Sequence, residues 1–200
     1  MITIYLKHYE SLPRKQIRKT EHALGLSLLS KGLLELHHLD IPANSLSAHL
    51  SFTEHEKPYL KEHPDIFYNI SHCTGLVVCA FSDRIIGVDV EEVRSFNENI
   101  IRKVLTEEEK AYLASFKDEP TKYEEMFYRF WTLKESRIKH SGLGLAMPLT
   151  DFSFRFDLTG SMPNITCSDP HLYFHQQILE QRYVLSVCSS APIENVKLLS

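Results

Sequence analysis

Leu76-Val77-Val78-Cys79-Ala80-Phe81-Ser82-Asp83-Arg84-Ile85-Ile86-Gly87-Val88-Asp89-Val90-Glu91 is the stretch on which the architecture turns. Residues 76–81 form an unbroken β-favouring apolar run, the pattern of a strand covered on both faces. Residues 82–84 predict a turn and residues 85–90 a further strand, so a hairpin-like meander is expected here. Just upstream, Phe67-Tyr68-Asn69-Ile70-Ser71-His72 reads as a strand running into a turn at Thr74-Gly75. Further out, residues 2–6 alternate like an opening strand. Residues 14–39 read as a helix with Leu24, Leu28, Leu29, Leu33 and Leu36 on one face, and residues 42–64 as strands joined by turns. Downstream, helical segments are predicted over 97–104, 106–116 and 123–139. Pro120 breaks the pattern before the last of these, and Ser141-Gly142-Leu143-Gly144 ends it. Phe152, Phe154 and Phe156 alternate with polar neighbours as a half-buried strand. A turn at 160–163 and strands at 173–178 and 183–189 close the chain. Val78-Cys79-Ala80 and Val187-Cys188-Ser189 sit in similar apolar settings. The expected class is therefore α+β with two similar α/β lobes, residues 1–95 and 96–200.

The 200 residues carry a formal charge of −4, without the basic excess of a general nucleic-acid binder. No apolar run approaches the roughly 18–20 residues that span a bilayer, so no membrane association is expected. The N-terminus lacks a basic segment followed by an apolar one, the pattern of a secretory signal. Four cysteines lie far apart without a Cys-x-x-Cys spacing. A reduced, cytoplasmic protein is the simplest expectation.

The densest chemistry is Gly87-Val88-Asp89-Val90-Glu91. On a strand, residues two apart project from one face, so Asp89 and Glu91 can converge on a single point. Close carboxylates repel unless a cation or proton lies between them. A second acidic element is Trp131-Thr132-Leu133-Lys134-Glu135-Ser136-Arg137-Ile138-Lys139, where Trp131, Glu135 and Lys139 share one helical face. Alone, it reads as a Glu–Lys pair beside a half-buried indole. Together, Asp89, Glu91 and Glu135 would make an oxygen-only site of the kind that suits Mg²⁺, with Lys139 free for a phosphate oxygen. Ser71 and His72 add a hydroxyl and an imidazole that can hydrogen-bond phosphate, although a single His in a chain with eleven is commonly incidental. A metal-dependent phosphodiesterase or nuclease could also use such a set.

In order and approximate spacing, Asn69-Ile70-Ser71-His72, Gly87-Val88-Asp89-Val90-Glu91, Trp131-Thr132-Leu133-Lys134-Glu135-Ser136, Lys139 and Gly142-Leu143-Gly144-Leu145 resemble the 4'-phosphopantetheinyl transferase superfamily. The likeness is to its longer, two-lobed class, the surfactin-synthetase-activator-like members, and runs from about residue 57 to residue 149. The resemblance implies a pseudo-twofold α+β fold with coenzyme A between the lobes as substrate. It implies Mg²⁺ (or Mn²⁺) on the pyrophosphate, held by Asp89, Glu91 and Glu135. A serine of an apo acyl or peptidyl carrier protein would attack the β-phosphorus, and 3',5'-ADP would leave. By the same likeness Ser71 and His72 bind phosphate groups, Lys139 contacts the pyrophosphate, and Lys57 reaches the coenzyme. Glu109 is implied as the base that takes the serine proton, yet Thr106-x-x-Glu109 is also a capping box, and Glu135 or a metal-bound water are rivals. The basic cluster of Arg14, Lys15, Arg18 and Lys19 is implied to grip the 3'-phosphate, with Arg14 and Arg18 the named candidates. A solvated helix face is its other reading. Two fused lobes imply a monomer. An inactive module that binds coenzyme A or a carrier remains a further alternative.

Overall fold

The computed structural model describes residues 1–10, 12–157 and 164–200; the turn expected at 160–163 lies outside the described residues. In chain order the elements are β1 (Ile2–His8), α1 (Arg14–His37), α2 (Leu46–His49), β2 (Leu50–Phe52), β3 (Pro58–Leu60), β4 (Phe67–Cys73), β5 (Leu76–Ser82), β6 (Ile86–Glu92), α3 (Ile101–Val104), α4 (Glu107–Ala114), α5 (Pro120–Ser141), β7 (Phe154–Asp157), β8 (Asn164–Cys167), β9 (Tyr173–Leu179), β10 (Tyr183–Ser189) and β11 (Val196–Leu199).

One plan occurs twice. A first strand leads to a long helix, then to a short two-stranded hairpin, then to an antiparallel pair whose second strand returns to the first. In the first copy this gives the sheet order β1-β5-β4, and in the second β6-β10-β9. Both sheets are antiparallel throughout these three strands, and β11 adds to the free edge of β1 in parallel. The class is α+β with two similar α/β lobes, as expected.

Apolar patterning explains how the lobes meet. The alternate residues Leu76, Val78 and Ala80 of β5 pack with Ile86, Val88 and Val90 of β6 and with Leu185 and Val187 of β10. The opposite face of β5, through Val77, Cys79 and Phe81, packs beneath Leu28, Leu29 and Leu33 of α1. Val184 on the outer face of β10 joins Phe127, Phe130 and Leu133 of α5. The layers are thus helix, sheet, sheet, helix. Strands β5 and β10 are buried at every position, because each is sandwiched between a sheet and a helix. That is the physical origin of the apolar run in β5 and of the mostly apolar β10, whose buried Ser186 is hydrogen-bonded to Thr132 and Gln176.

Three local expectations need correction. The meander stops at β5, since β1 and β4 already occupy both its edges. With no edge left to join, β6 crosses to the second sheet and pairs with β10, Val90 opposite Leu185. Residues 42–64 contain the short helix α2 besides the hairpin β2–β3. Pro120 separates α4 from α5 as expected, but α5 already begins at Pro120 rather than at 123, since the proline occupies a first-turn position where the missing N–H has no intrahelical partner to lose. Gly142 ends α5 at φ 72°, a left-handed cap suited to glycine. The β4–β5 turn is the two-residue Thr74-Gly75 link, with Gly75 at φ 86°.

Candidate active site

The site forms where the edge of β4 meets the edge of β6. Backbone N–H groups of β6 that face β4 find side chains rather than a strand. Val88 N donates to Asn69 Oδ1 at 2.8 Å and Val90 N to Ser71 Oγ at 3.3 Å. Ser71 in turn donates to Asp89 Oδ1 at 2.8 Å. Helix α5 closes the third side, and its close approach has a specific cause. A Cβ on Gly87 would lie 2.0 Å from Ser136 O and 2.3 Å from His140 N. Only glycine lets the helix backbone settle on β6 there. One turn along, Lys139 Nζ then reaches Asp89 Oδ1 and Ser71 Oγ, both at 2.7 Å. The sequence-expected residues Ser71, Asp89 and Lys139 are therefore one hydrogen-bonded cluster, with Asp89 buried and Lys139 partly open to solvent.

Glu91 and Glu135 adjoin this cluster electrostatically. Burial first, and then the charge of Asp89, push Glu91 up to about 7, while Arg94, Lys139 and the Trp131 indole N–H pull it partly back. Glu135 is raised in the same way, by burial and by Asp89 against Lys139. Asp89 Oδ2 is buried and, among the described residues, has no hydrogen-bond partner. An orphaned carboxylate oxygen beside two acids held against their charge is the donor chemistry that a hard divalent cation satisfies. Among the described residues no three His, Cys, Asp or Glu side chains close on one point as a ready ligand set. Instead the ammonium of Lys139 holds Asp89.

His72 goes elsewhere. Neighbouring residues on a strand face opposite ways, so Ser71 turns toward Asp89 while His72 turns to the α1 side, with its Nδ1 3.2 Å from Glu21 Oε2. There it borders a cavity of about 430 Å³ lined by Arg18, Glu21, His22, Ile70 and Pro58 among others. Arg18 is thus brought to the same cavity as His72. Arg14 opens α1, and the role expected of its side chain lies outside the described residues.

Lys57 acts as a strut between the lobes. Its Nζ donates to His140 O at 2.9 Å and to Ile86 O at 3.2 Å, tying the end of α5 to the start of β6. Burial lowers it to about 8.

Glu109 does not join the site, which corrects the base assignment. Both halves of the capping box form: Thr106 N donates to Glu109 Oε2 at 2.8 Å, and Glu109 N to Thr106 Oγ1 at 3.4 Å. Oε1 accepts from Phe154 N at 2.8 Å. Lys134 Nζ, fully buried, lies 2.8 Å from Oε2 and also donates to Leu149 O and Phe152 O. With both oxygens engaged inside the α4–α5–β7 core, Glu109 is buried and takes no part in the Ser71–Asp89–Lys139 cluster.

Sequence reasoning passed over Asn69 as a residue with a job, although it stands inside a quoted motif. It also passed over Arg94, which bonds Tyr128 and pulls on Glu91, and Glu21, which no local pattern marks.

Where the two α/β repeats meet, Ser71, Asp89 and Lys139 are hydrogen-bonded and Glu91 and Glu135 feel the charge of Asp89, which makes this seam dense in charge. A family model described as the 4'-phosphopantetheinyl transferase superfamily matches residues 85–188, the span from β6 through α5 to β10. The chain belongs to that superfamily. It is 36% identical over 145 residues to the 4'-phosphopantetheinyl transferase Sfp of Bacillus subtilis (strain 168), covering 71% of this chain and 63% of the relative. It is 33% identical over 129 residues to the 4'-phosphopantetheinyl transferase gsp of Aneurinibacillus migulanus, covering 64% and 51%. A human relative, L-aminoadipate-semialdehyde dehydrogenase-phosphopantetheinyl transferase, is 35% identical over 129 residues, covering 58% and 41%. The matched part spans a little under two thirds of the Bacillus subtilis relative's length. Among the described residues no helix is long and apolar enough to cross a membrane.

Proposed function

We propose that this chain transfers the 4'-phosphopantetheine group of coenzyme A to a serine hydroxyl of an apo acyl or peptidyl carrier protein, releasing 3',5'-ADP. The observation that carries this reading is the Ser71–Asp89–Lys139 cluster at the lobe seam, bordered by Glu91 and Glu135. A displacement at phosphorus needs in-line positioning and relief of oxygen charge more than covalent catalysis. Lys139, the most open member, supplies a fixed cation for a pyrophosphate oxygen. Ser71 offers a hydroxyl from the seam, while His72 and Arg18 reach phosphate from the α1 side of β4. Lys57, the lobe strut, borders the coenzyme. Mg²⁺, with Mn²⁺ as a substitute, would be held by Asp89, Glu91 and Glu135 and would polarise the phosphoryl oxygens. With Glu109 committed to its cap, Glu135 is the residue we assign to accept the serine proton.

In this proposal the two lobes, residues 1–95 and 96–200, act as a monomer in the cytoplasm; the repeated strand order supports two lobes, with β6 lent by the first span to the second sheet.

Incubating the protein with coenzyme A, Mg²⁺ and an apo carrier, then weighing the carrier by mass spectrometry, tests the reading. The expected result is a gain of one phosphopantetheine on the carrier that disappears with chelator. Carriers of unchanged mass across a panel would overturn it.

A further inference from the structure

Helix α1 presents a carboxylate to a strand residue that is expected to meet phosphate, and this needs a reason. Glu21 is 6% exposed, yet no lysine or arginine bridge to it is seen among the described residues. Its Oε1 accepts from Tyr9 Oη at 2.6 Å, and its Oε2 faces His72 Nδ1 at 3.2 Å. Tyr9 is itself pinned: its N–H donates to Gly75 O at 3.1 Å and its hydroxyl also reaches Cys73 O at 3.2 Å. Burial, and then the bond to Glu21, raise the Tyr9 phenol to about 12, so it stays an O–H donor across the neutral range. The carboxylate is therefore clamped from one side by a fixed donor and offers its other oxygen to the imidazole. His72, by contrast, is half exposed, and a half-exposed side chain on a strand end has rotamer freedom to lose.

We infer that Glu21 is a positioning residue for His72: by accepting the Nδ1 proton it fixes the ring so that Nε2 addresses the cavity shared with Arg18 and His22. The second oxygen of the carboxylate is taken by Tyr9, so the alignment is built into the fold on both sides. Arg18 and His22 border the same cavity on α1, which gives an anion entering it two further donors. A carboxylate that orients an imidazole through one nitrogen while the other faces the ligand is a known way of specifying tautomer and direction. The inference deepens the proposed function and rests on it, since the anion concerned is a phosphate of coenzyme A.

A double-mutant cycle tests it. Coenzyme A affinity is measured by calorimetry in the wild type, Glu21→Ala, His72→Ala and the double variant, at fixed salt and with Mg²⁺ present. The expected result is a loss of about tenfold for Glu21→Ala in the presence of His72, the scale of a charged hydrogen bond, and little further loss when His72 is already alanine. Equal losses in both backgrounds would show that Glu21 merely supports the fold, and would overturn the inference. So would an unchanged affinity in Glu21→Ala. Glu21→Gln retains an acceptor for Tyr9 and serves as the milder variant if alanine unfolds the chain; it should follow the same pattern. The ¹⁵N spectrum of His72, recorded without ligand, should show a protonated Nδ1 whose signal changes on Glu21→Gln. A spectrum unaffected by that substitution would sink the contact itself. Failure of the wild type to bind coenzyme A would instead refute the transferase reading, and the imidazole spectrum then still decides the Glu21–His72 contact.

Discussion

Replacing Glu109 by Gln preserves volume and removes one charge from a place that water does not reach. Side-chain exposure is 0% for both Glu109 and Lys134, whose Nζ lies 2.8 Å from Oε2. The ammonium also donates to Leu149 O at 2.7 Å and Phe152 O at 2.8 Å, and sits 4.8 Å from the centre of the Phe152 ring. Glutamine has a single acceptor oxygen, so it can keep only one of the bonds that Thr106 N and Phe154 N make to separate carboxylate oxygens, and the cation loses its counter-charge. Breaking one side of a buried pair destabilises by about 3–5 kcal/mol. In a chain of this size that lowers Tm by roughly 6–20 °C. Burial already pulls Lys134 below the ordinary lysine value, with Glu109 working against it. Shedding its proton would therefore place the loss toward the lower end of that range. Urea unfolding followed by fluorescence measures the stability, and carrier labelling well below the transition measures turnover of the folded protein. The expected outcome is a clear fall in unfolding midpoint with kcat/KM changed by about threefold or less. A fall in turnover of about a hundredfold with an unchanged midpoint would refute the structural reading and return Glu109 to the chemistry.

Other consequences follow from the same geometry. Asp89→Ala and Glu135→Gln should each lower turnover by roughly a hundredfold or more, and Mg²⁺ should raise Tm in the wild type but not in Glu135→Gln; near-normal rates in both folded variants would remove the seam from the mechanism. Gly87→Ala should cost about 3 kcal/mol or more, since the new methyl meets helix backbone at 2.0 Å rather than a side chain able to swing away; a wild-type denaturation curve would contradict this. Burial holds Lys57 near 8 rather than 10.5, so over that interval the unfolded chain keeps a proton that the folded one has released. Stability should therefore rise with pH across the window by up to about 3 kcal/mol relative to Lys57→Met. Parallel pH profiles for the two proteins would contradict it.

Legibility in the sequence varied with the range of the interaction. Strands β5 and β10 were readable because burial on both faces demands mostly apolar residues whatever the partner is. The long helices were readable from their spacing and from Gly142. Strand exchange was not, because whether β6 joins β5 depends on edges already taken by β1 and β4. At the site, Asp89, Ser71 and Lys139 could be named from motif spacing, and the structure joins them. The Thr106-x-x-Glu109 spacing allowed two readings, and only the arrival of Lys134 from α5 and Phe154 N from β7 decides between them.

Local composition and periodicity by themselves determined the α+β class, the order of most elements and the acidic and basic groups available, since each depends on residues a few positions apart. Which of those groups share one electrostatic environment was decided by tertiary structure alone. Asp89 and Lys139 are fifty residues apart, and their 2.7 Å contact exists because a glycine admits α5 onto β6. Glu21 meets His72 because α1 folds back over β4, and Glu109 meets Lys134 inside a core that neither motif encodes. Charge interactions fall off with distance and sharpen with burial, and both quantities are set only when the sheets and helices close on one another.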